Sequence, residues 1–258
     1  MINRYKILNI WTDCLTQQQA LEKVETFITR KHGLSTILSS NPEMNFTAPS
    51  DPKLYRIFKK ADLLLPDGIG VVIAARIIYN INISRLPGCD IMQAICILAQ
   101  VRGYKVYILG SKEEVLHGAV KKLKEKMPRL NIVGNSNGYL PENSMAQKAK
   151  EINESGAQIL FLALGSPKQE QWIANYGEHL TNVRICQVVG GCLDVINGNV
   201  KRAPAFFRRH GVEWLYRLIT DPKRITRQWV LPLFAAQIVS TKIWFIFKRC
   251  TPDVISRP

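Results

Sequence analysis

Two hydrophobic rhythms alternate along most of the chain. Short apolar runs rich in β-branched residues, at 35–39, 62–65, 104–109, 131–133, 158–164 and 183–189, read as buried strands. Between them, apolar positions recur every three to four residues over 17–30, 69–79, 90–101, 113–127, 144–155 and 168–176, which predicts helices. Strands alternating with helices across short loops imply an α/β fold: a mostly parallel sheet covered on both faces. The rhythm stops near Asn199. Beyond it come aromatic and basic residues, Pro204, Pro222 and Pro232, and no clear strand. The sequence therefore divides into an α/β core, residues 1–199, and a loosely attached helical appendage, residues 200–258.

Charge sharpens that division. The chain of 258 residues carries a formal net charge of +15, and residues 201–258 hold twelve Lys or Arg against three acids. A basic terminus implies an anionic partner: nucleic acid, anionic lipid or a phosphorylated substrate. Around Trp214, Leu215, Leu218 and Ile219 the basic stretch also has an apolar face, and residues 229–247 are more apolar still. That stretch contains Pro232, Gln237 and Lys242, so it reads as lying on a membrane surface rather than crossing it. Aromatics mixed with arginine also suit nucleic acid, and a non-enzymatic nucleic-acid-binding protein is the competing reading. No nucleic-acid motif accompanies the mixture. Residues 1–10 have no apolar signal core, and the six cysteines show neither CxxC nor zinc-ligand spacing. Reduced, buried thiols in a cytoplasmic protein are expected.

In an open α/β sheet, ligands bind at the carboxyl ends of the strands. The loops there are Ser39 to Glu43, Pro66 to Gly70, Gly110-Ser111, Gly165 to Glu170 and Gly190 to Asp194. Small residues before helix starts present backbone N–H groups and suit phosphate, or they only turn the chain. Asp67, between an apolar strand and Gly68, fits a ribose contact, a proton acceptor or a helix cap. Glu170 reads as a partner of a helix dipole, while Lys168 and Gln169 are free to meet a ligand. No Walker motif or complete dinucleotide fingerprint is present.

Taken together, these motifs make the chain resemble the WecG/TagA/CpsF glycosyltransferases, glycosyltransferase family 26. The resemblance rests on Asn41-Pro42-Glu43, Leu65-Pro66-Asp67-Gly68-Ile69-Gly70, Arg85-Leu86-Pro87-Gly88-Cys89-Asp90 and Leu109-Gly110. It is strongest in Gly165-Ser166-Pro167-Lys168-Gln169-Glu170-Gln171-Trp172, Val189-Gly190-Gly191-Cys192-Leu193-Asp194 and Lys201-Arg202-Ala203-Pro204 running on to Glu213-Trp214-Leu215-Tyr216-Arg217-Leu218. It implies a Rossmann-like core and an inverting, metal-independent, cofactor-free transfer. The sugar is N-acetylmannosamine or its uronate, passed from a UDP-sugar to undecaprenyl-diphosphate-linked N-acetylglucosamine. The family builds cell-surface polysaccharide or teichoic acid at the inner face of the plasma membrane.

By the same resemblance Asp67 is the general base, with Ser39 beside it where the family often has Thr. Expected substrate contacts are Asn41, Gly68, Arg85, Gly110, Gly165, Lys168, Gln169, Gly190, Gly191, Asp194 and Arg202. Arg217, Arg224 and Arg227 are expected at the diphosphates. Cys192 stands where a small residue such as Ser is common. The expected partners are the UDP-sugar, the lipid-diphosphate acceptor and an anionic membrane, with no nucleic acid; self-association stays open.

Overall fold

The computed structural model describes residues 2–30, 33–221, 225–248 and 253–257, with the side chains of Glu142, Arg217, Thr226 and Arg227 outside the description. The chain opens with the hairpin β1 (Ile2–Ile7) and β2 (Ile10–Cys14), then α1 (Gln17–Thr29) and β3 (Ser35–Ser40). Next come α2 (Pro42–Thr47), α3 (Pro52–Lys60), β4 (Leu63–Pro66), α4 (Ile69–Tyr79) and α5 (Gly88–Arg102). The second half of the core holds β5 (Val106–Gly110), α6 (Glu113–Lys126), β6 (Ile132–Ser136), α7 (Met145–Glu154), β7 (Ile159–Ala163), α8 (Lys168–Tyr176), β8 (Ile185–Val188) and α9 (Cys192–Asn197). The C-terminal segment is α10 (Ala205–Arg209), α11 (Glu213–Thr220), α12 (Ile225–Gln228), α13 (Val230–Lys248) and β9 (Val254–Arg257).

Six strands form a parallel sheet in the order β4-β3-β8-β7-β5-β6, with helices around it, as the apolar runs predict. Every residue of β4, β5, β7 and β8 is buried, which is why these strands read as apolar runs, interrupted in β8 by the buried Gln187. Local chemistry sets the helix ends. Thr16 and Gln19 form a capping box at the start of α1. Gly103 ends α5 with a left-handed φ of 73°.

A second sheet, β2-β1-β9, is antiparallel. Its centre is Arg4, fully buried and held bidentately by Asp13 at 2.5 and 2.7 Å. Arg4 also donates to the carbonyls of Ala61 and Asp62, and Asp13 accepts from the Leu64 N–H at 2.8 Å. This ionic knot fastens the hairpin to β4, the strand that carries Asp67 at its end.

Three features differ from the sequence reading. The segment beyond Asn199 does contain a strand, because β9 adds to the free edge of β1. It is also not loosely attached: Phe234 and Ile238 of α13 share an apolar cluster with Val71, Ala74 and Ile78 of α4 and Ile7 of β1. Finally, two of the six cysteines are not free thiols. Cys89 and Cys192 are 103 residues apart in sequence, but α5 and α9 begin side by side and the two are joined in a disulfide. Cys14, Cys96 and Cys186 are free thiols, and Cys250 lies outside the described residues.

Candidate active site

The chain runs outward from β3 to β4, crosses to β5 and β6, and returns through β7 and β8 to the other side of β3. Loops on either side of such a reversal part and leave a crevice. Here the loops after β3, β4, β7 and β8 enclose a cavity of about 650 Å³, a size suited to a small ligand.

Asp67 lies on its wall, part-buried, with its N–H bonded to the Ser40 carbonyl at 3.1 Å. Ser39 and Asp67 both face Gly88. A Cβ on Gly88 would stand 3.2 Å from Ser39 Oγ and 3.7 Å from Asp67 Oδ2, so the glycine keeps the start of α5 close to both. Gly68 caps α4. Asn41 caps α2, its Oδ1 accepting from the Met44 N–H at 2.9 Å.

The opposite wall is built by Gly165, Gly190 and Gly191, where no heavy atom lies within 4 Å of an added Cβ. A ligand can approach this backbone closely. Gly165 and Gly190 have φ of 77° and 49°, which glycine adopts without strain. Gln169 links the two loops, its Oε1 accepting from the Gly190 N–H at 3.3 Å. Glu170 holds Gln169 in turn: one carboxylate oxygen accepts from Gln169 Nε2 at 3.2 Å, the other from Ser166 Oγ at 2.8 Å. Burial raises the Glu170 pKa, and the donors Ser166 and Gln169 oppose the rise. Sequence reasoning treated Glu170 as a helix-dipole partner and missed this buried brace. Asp194, in the first turn of α9, completes the wall.

Two arginines tie the C-terminal segment across the mouth. Arg85 donates to the Arg208 carbonyl at 3.1 Å and pairs with the buried Glu213 at 3.6 Å. Arg202 pairs with Asp90 at the start of α5. Ser39, Asn41, Asp67, Gly68, Arg85, Gly165, Gln169, Gly190, Gly191, Asp194 and Arg202 therefore share one cavity.

Gly110 and Lys168 stand outside that wall. A Cβ on Gly110 would meet the Ala163 carbonyl carbon at 2.4 Å, so this glycine serves the close packing of β5 on β7. Lys168 is exposed in the first turn of α8. Arg224 and the side chains of Arg217 and Arg227 lie outside the described residues. Among the described residues no three His, Cys, Asp or Glu side chains converge to hold a metal.

The remaining wall is apolar and comes from α4 and α13. By length and composition α13 is able to cross a membrane. Two of the three breaks in its apolar sequence, Pro232 and Lys242, have structural roles. Pro232 sits in the first turn, where its missing N–H costs nothing, and Lys242 donates to the Ile78 carbonyl near the end of α4 at 3.3 Å.

Comparison with known proteins gives concordant results. The family described as "Glycosyl transferase WecG/TagA/CpsF family" matches residues 5–246. An N-acetylglucosaminyldiphosphoundecaprenol N-acetyl-beta-D-mannosaminyltransferase of Bacillus subtilis is 35% identical over 213 residues, covering 83% of this chain and 82% of the relative. A protein of the same name from Bacillus spizizenii is 34% identical over 214 residues, with 83% and 82% covered.

Proposed function

The chain belongs to the WecG/TagA/CpsF glycosyltransferase family, and from that premise we propose that it moves N-acetylmannosamine, or its uronate, from a UDP-sugar to undecaprenyl-diphosphate-linked N-acetylglucosamine. The observation that supports this most is the meeting of three surfaces in one cavity. Asp67 stands on one side, the open glycine loops on another, and an apolar wall on the third. A polar donor, a reacting hydroxyl and a lipid-bearing acceptor need those three surfaces.

In this reading Asp67 takes the proton of the acceptor hydroxyl, as a carboxylate within hydrogen-bond reach does. The hydroxyl oxygen bonds to the anomeric carbon from the face opposite the nucleotide. The anomeric carbon–oxygen bond to UDP breaks, the electron pair leaves with the diphosphate, and configuration inverts. Backbone N–H groups of the glycine loops and the arginines of the C-terminal segment offset the charge of the departing UDP without a metal. Ser39 orients the acceptor beside Asp67. The protein works on the inner face of the plasma membrane, held by its basic segment and the exposed apolar side chains of α13. Its product feeds a teichoic acid or another cell-surface polysaccharide.

The test is a panel of UDP-sugars offered with a lipid-diphosphate-N-acetylglucosamine analogue, the product identified by mass. An added N-acetylhexosamine or its uronate is expected. No product with any donor would overturn the reading. Salt-sensitive binding of generic duplex DNA in its place would favour the nucleic-acid alternative.

A further inference from the structure

The apolar wall has an order that its composition alone does not reveal. On α4 the cavity is lined by Ile69, Ile73 and Ile77, and on α13 by Leu231, Ala235 and Val239. Both sets have the spacing i, i+4, i+8, so each forms a single stripe along its helix. Two contacts fix how the helices lie. Phe234 Cε1 stands 3.5 Å from where a Cβ on Gly70 would be, and Lys242 Nζ meets the Ile78 carbonyl. Eight residues separate the contacts on each helix, so α4 and α13 run side by side in the same direction. The two stripes make a lane about 12 Å long at 1.5 Å per residue. Phe234 and Ile238 pack beneath it, buried. The lane begins two residues after Asp67 and leads away from it.

Its walls are half open to water: Ile73 and Val239 are each 50% exposed, and Ile77 is 36% exposed. Apolar surface left uncovered in an organised cavity marks a place for an apolar ligand. We propose that this lane seats the first isoprene units of the acceptor, an inference that rests on the function proposed above. An acceptor whose sugar hydroxyl reaches Asp67 carries its diphosphate next and its hydrocarbon after that. The lane meets the hydrocarbon at that end of the molecule. A single chain fits between two stripes that open into the catalytic cavity. A docked protein helix there would close the route to Asp67. The enzyme would then measure acceptor chain length directly, independently of its contact with the bilayer.

The experiment uses the full chain and soluble acceptors, N-acetylglucosamine diphosphates bearing one to four isoprene units, below their aggregation limit and without membranes. The acceptor KM is expected to fall about tenfold per added unit until the lane is filled, then level off. Ile73→Asn and Val239→Asn should flatten that series, costing about tenfold or more with the longer acceptors. UDP affinity by calorimetry should stay unchanged, which also certifies the fold. A wild-type KM indifferent to chain length, or variants with the wild-type slope, would overturn the lane.

If no acceptor is used although UDP binds, the proposed transfer fails, and the lane is then judged by calorimetry with farnesyl diphosphate. Wild type should bind it and the two variants should not; equal binding or none would overturn the lane. Co-sedimentation with acceptor-free anionic vesicles separates lane from bilayer. The variants should sediment like wild type, and loss of sedimentation would make these side chains a membrane contact instead.

Discussion

The central strands of the large sheet and the C-terminal helices treat apolar residues in opposite ways. In β5 and β7 every side chain is buried, sealed by neighbouring strands and by helices. In α13 only Val230, Phe234 and Ile238 are buried, while Trp244, Ile246 and Phe247 stand out at 51%, 63% and 82% exposure. These strands are covered by the rest of the chain. The helices hold just enough buried surface to dock on α4, and offer the rest outward. In the proposed function the difference separates two tasks: the sheet would fix the reacting groups in place, and the helices would receive something hydrophobic.

The largest effect should come from removing the reacting group without touching its frame. Asp67→Asn should lower turnover by about 10²–10⁴, the usual contribution of a general base, with an unchanged melting temperature. Wild-type turnover would mean that Asp67 is not the base. Next is the knot that fastens β4. Asp13→Asn or Arg4→Met leaves one buried charge unpaired and should cost about 3–5 kcal/mol in denaturant unfolding. A variant within 1 kcal/mol of wild type by roughly the same measure would show that the hairpin does not brace the strand.

A smaller effect is expected at Glu170. Glu170→Ala should raise the UDP dissociation constant by roughly tenfold, because Gln169 loses its brace and the Gly190 loop its anchor. Unchanged UDP binding would remove the brace from the account. Burial raises the folded pKa of this carboxyl, so its contribution to stability is fully present below the unfolded pKa and is lost as pH rises through the folded one. Glu170→Gln should therefore gain melting temperature over wild type as pH rises from the acid side into the neutral range, and the opposite trend would contradict the burial argument. The smallest expected effect is none: excess EDTA should leave transfer undiminished, and activity restored by magnesium or manganese would break the metal-free mechanism.

The sheet and its ligand edge were legible because strands buried on both faces print themselves as apolar runs, and the loops after them are rich in Gly and Pro. The hairpin was not, because Arg4, Thr12 and Asp13 are buried polar residues that disguise the alternation of a strand. Strand β9 was hidden because, among the described residues, it pairs with β1 alone, at the other end of the chain. Asp67, Gly68, Gly165, Gly190 and Gly191 line the cavity where their motifs put them and Gly110 does not, whereas the Glu170 brace, the Gly88 approach and the Cys89–Cys192 disulfide arise only when distant loops meet. The lane was hidden too. The helical rhythm of 69–79 does not say which of its apolar residues stay uncovered, and Ile73 is left half open.

The division of labour is tested most directly by paired steady-state kinetics with acceptor embedded in anionic vesicles. The two proteins to compare with wild type are Asp67→Asn and the double variant Ile246→Ser, Phe247→Ser, which alters only exposed side chains. Asp67→Asn should lower kcat and leave the acceptor KM near its original value. The double variant should raise the acceptor KM and leave kcat and UDP affinity as they were. A double variant that loses kcat at saturating acceptor as severely as Asp67→Asn would contradict the separation of chemistry from lipid reception.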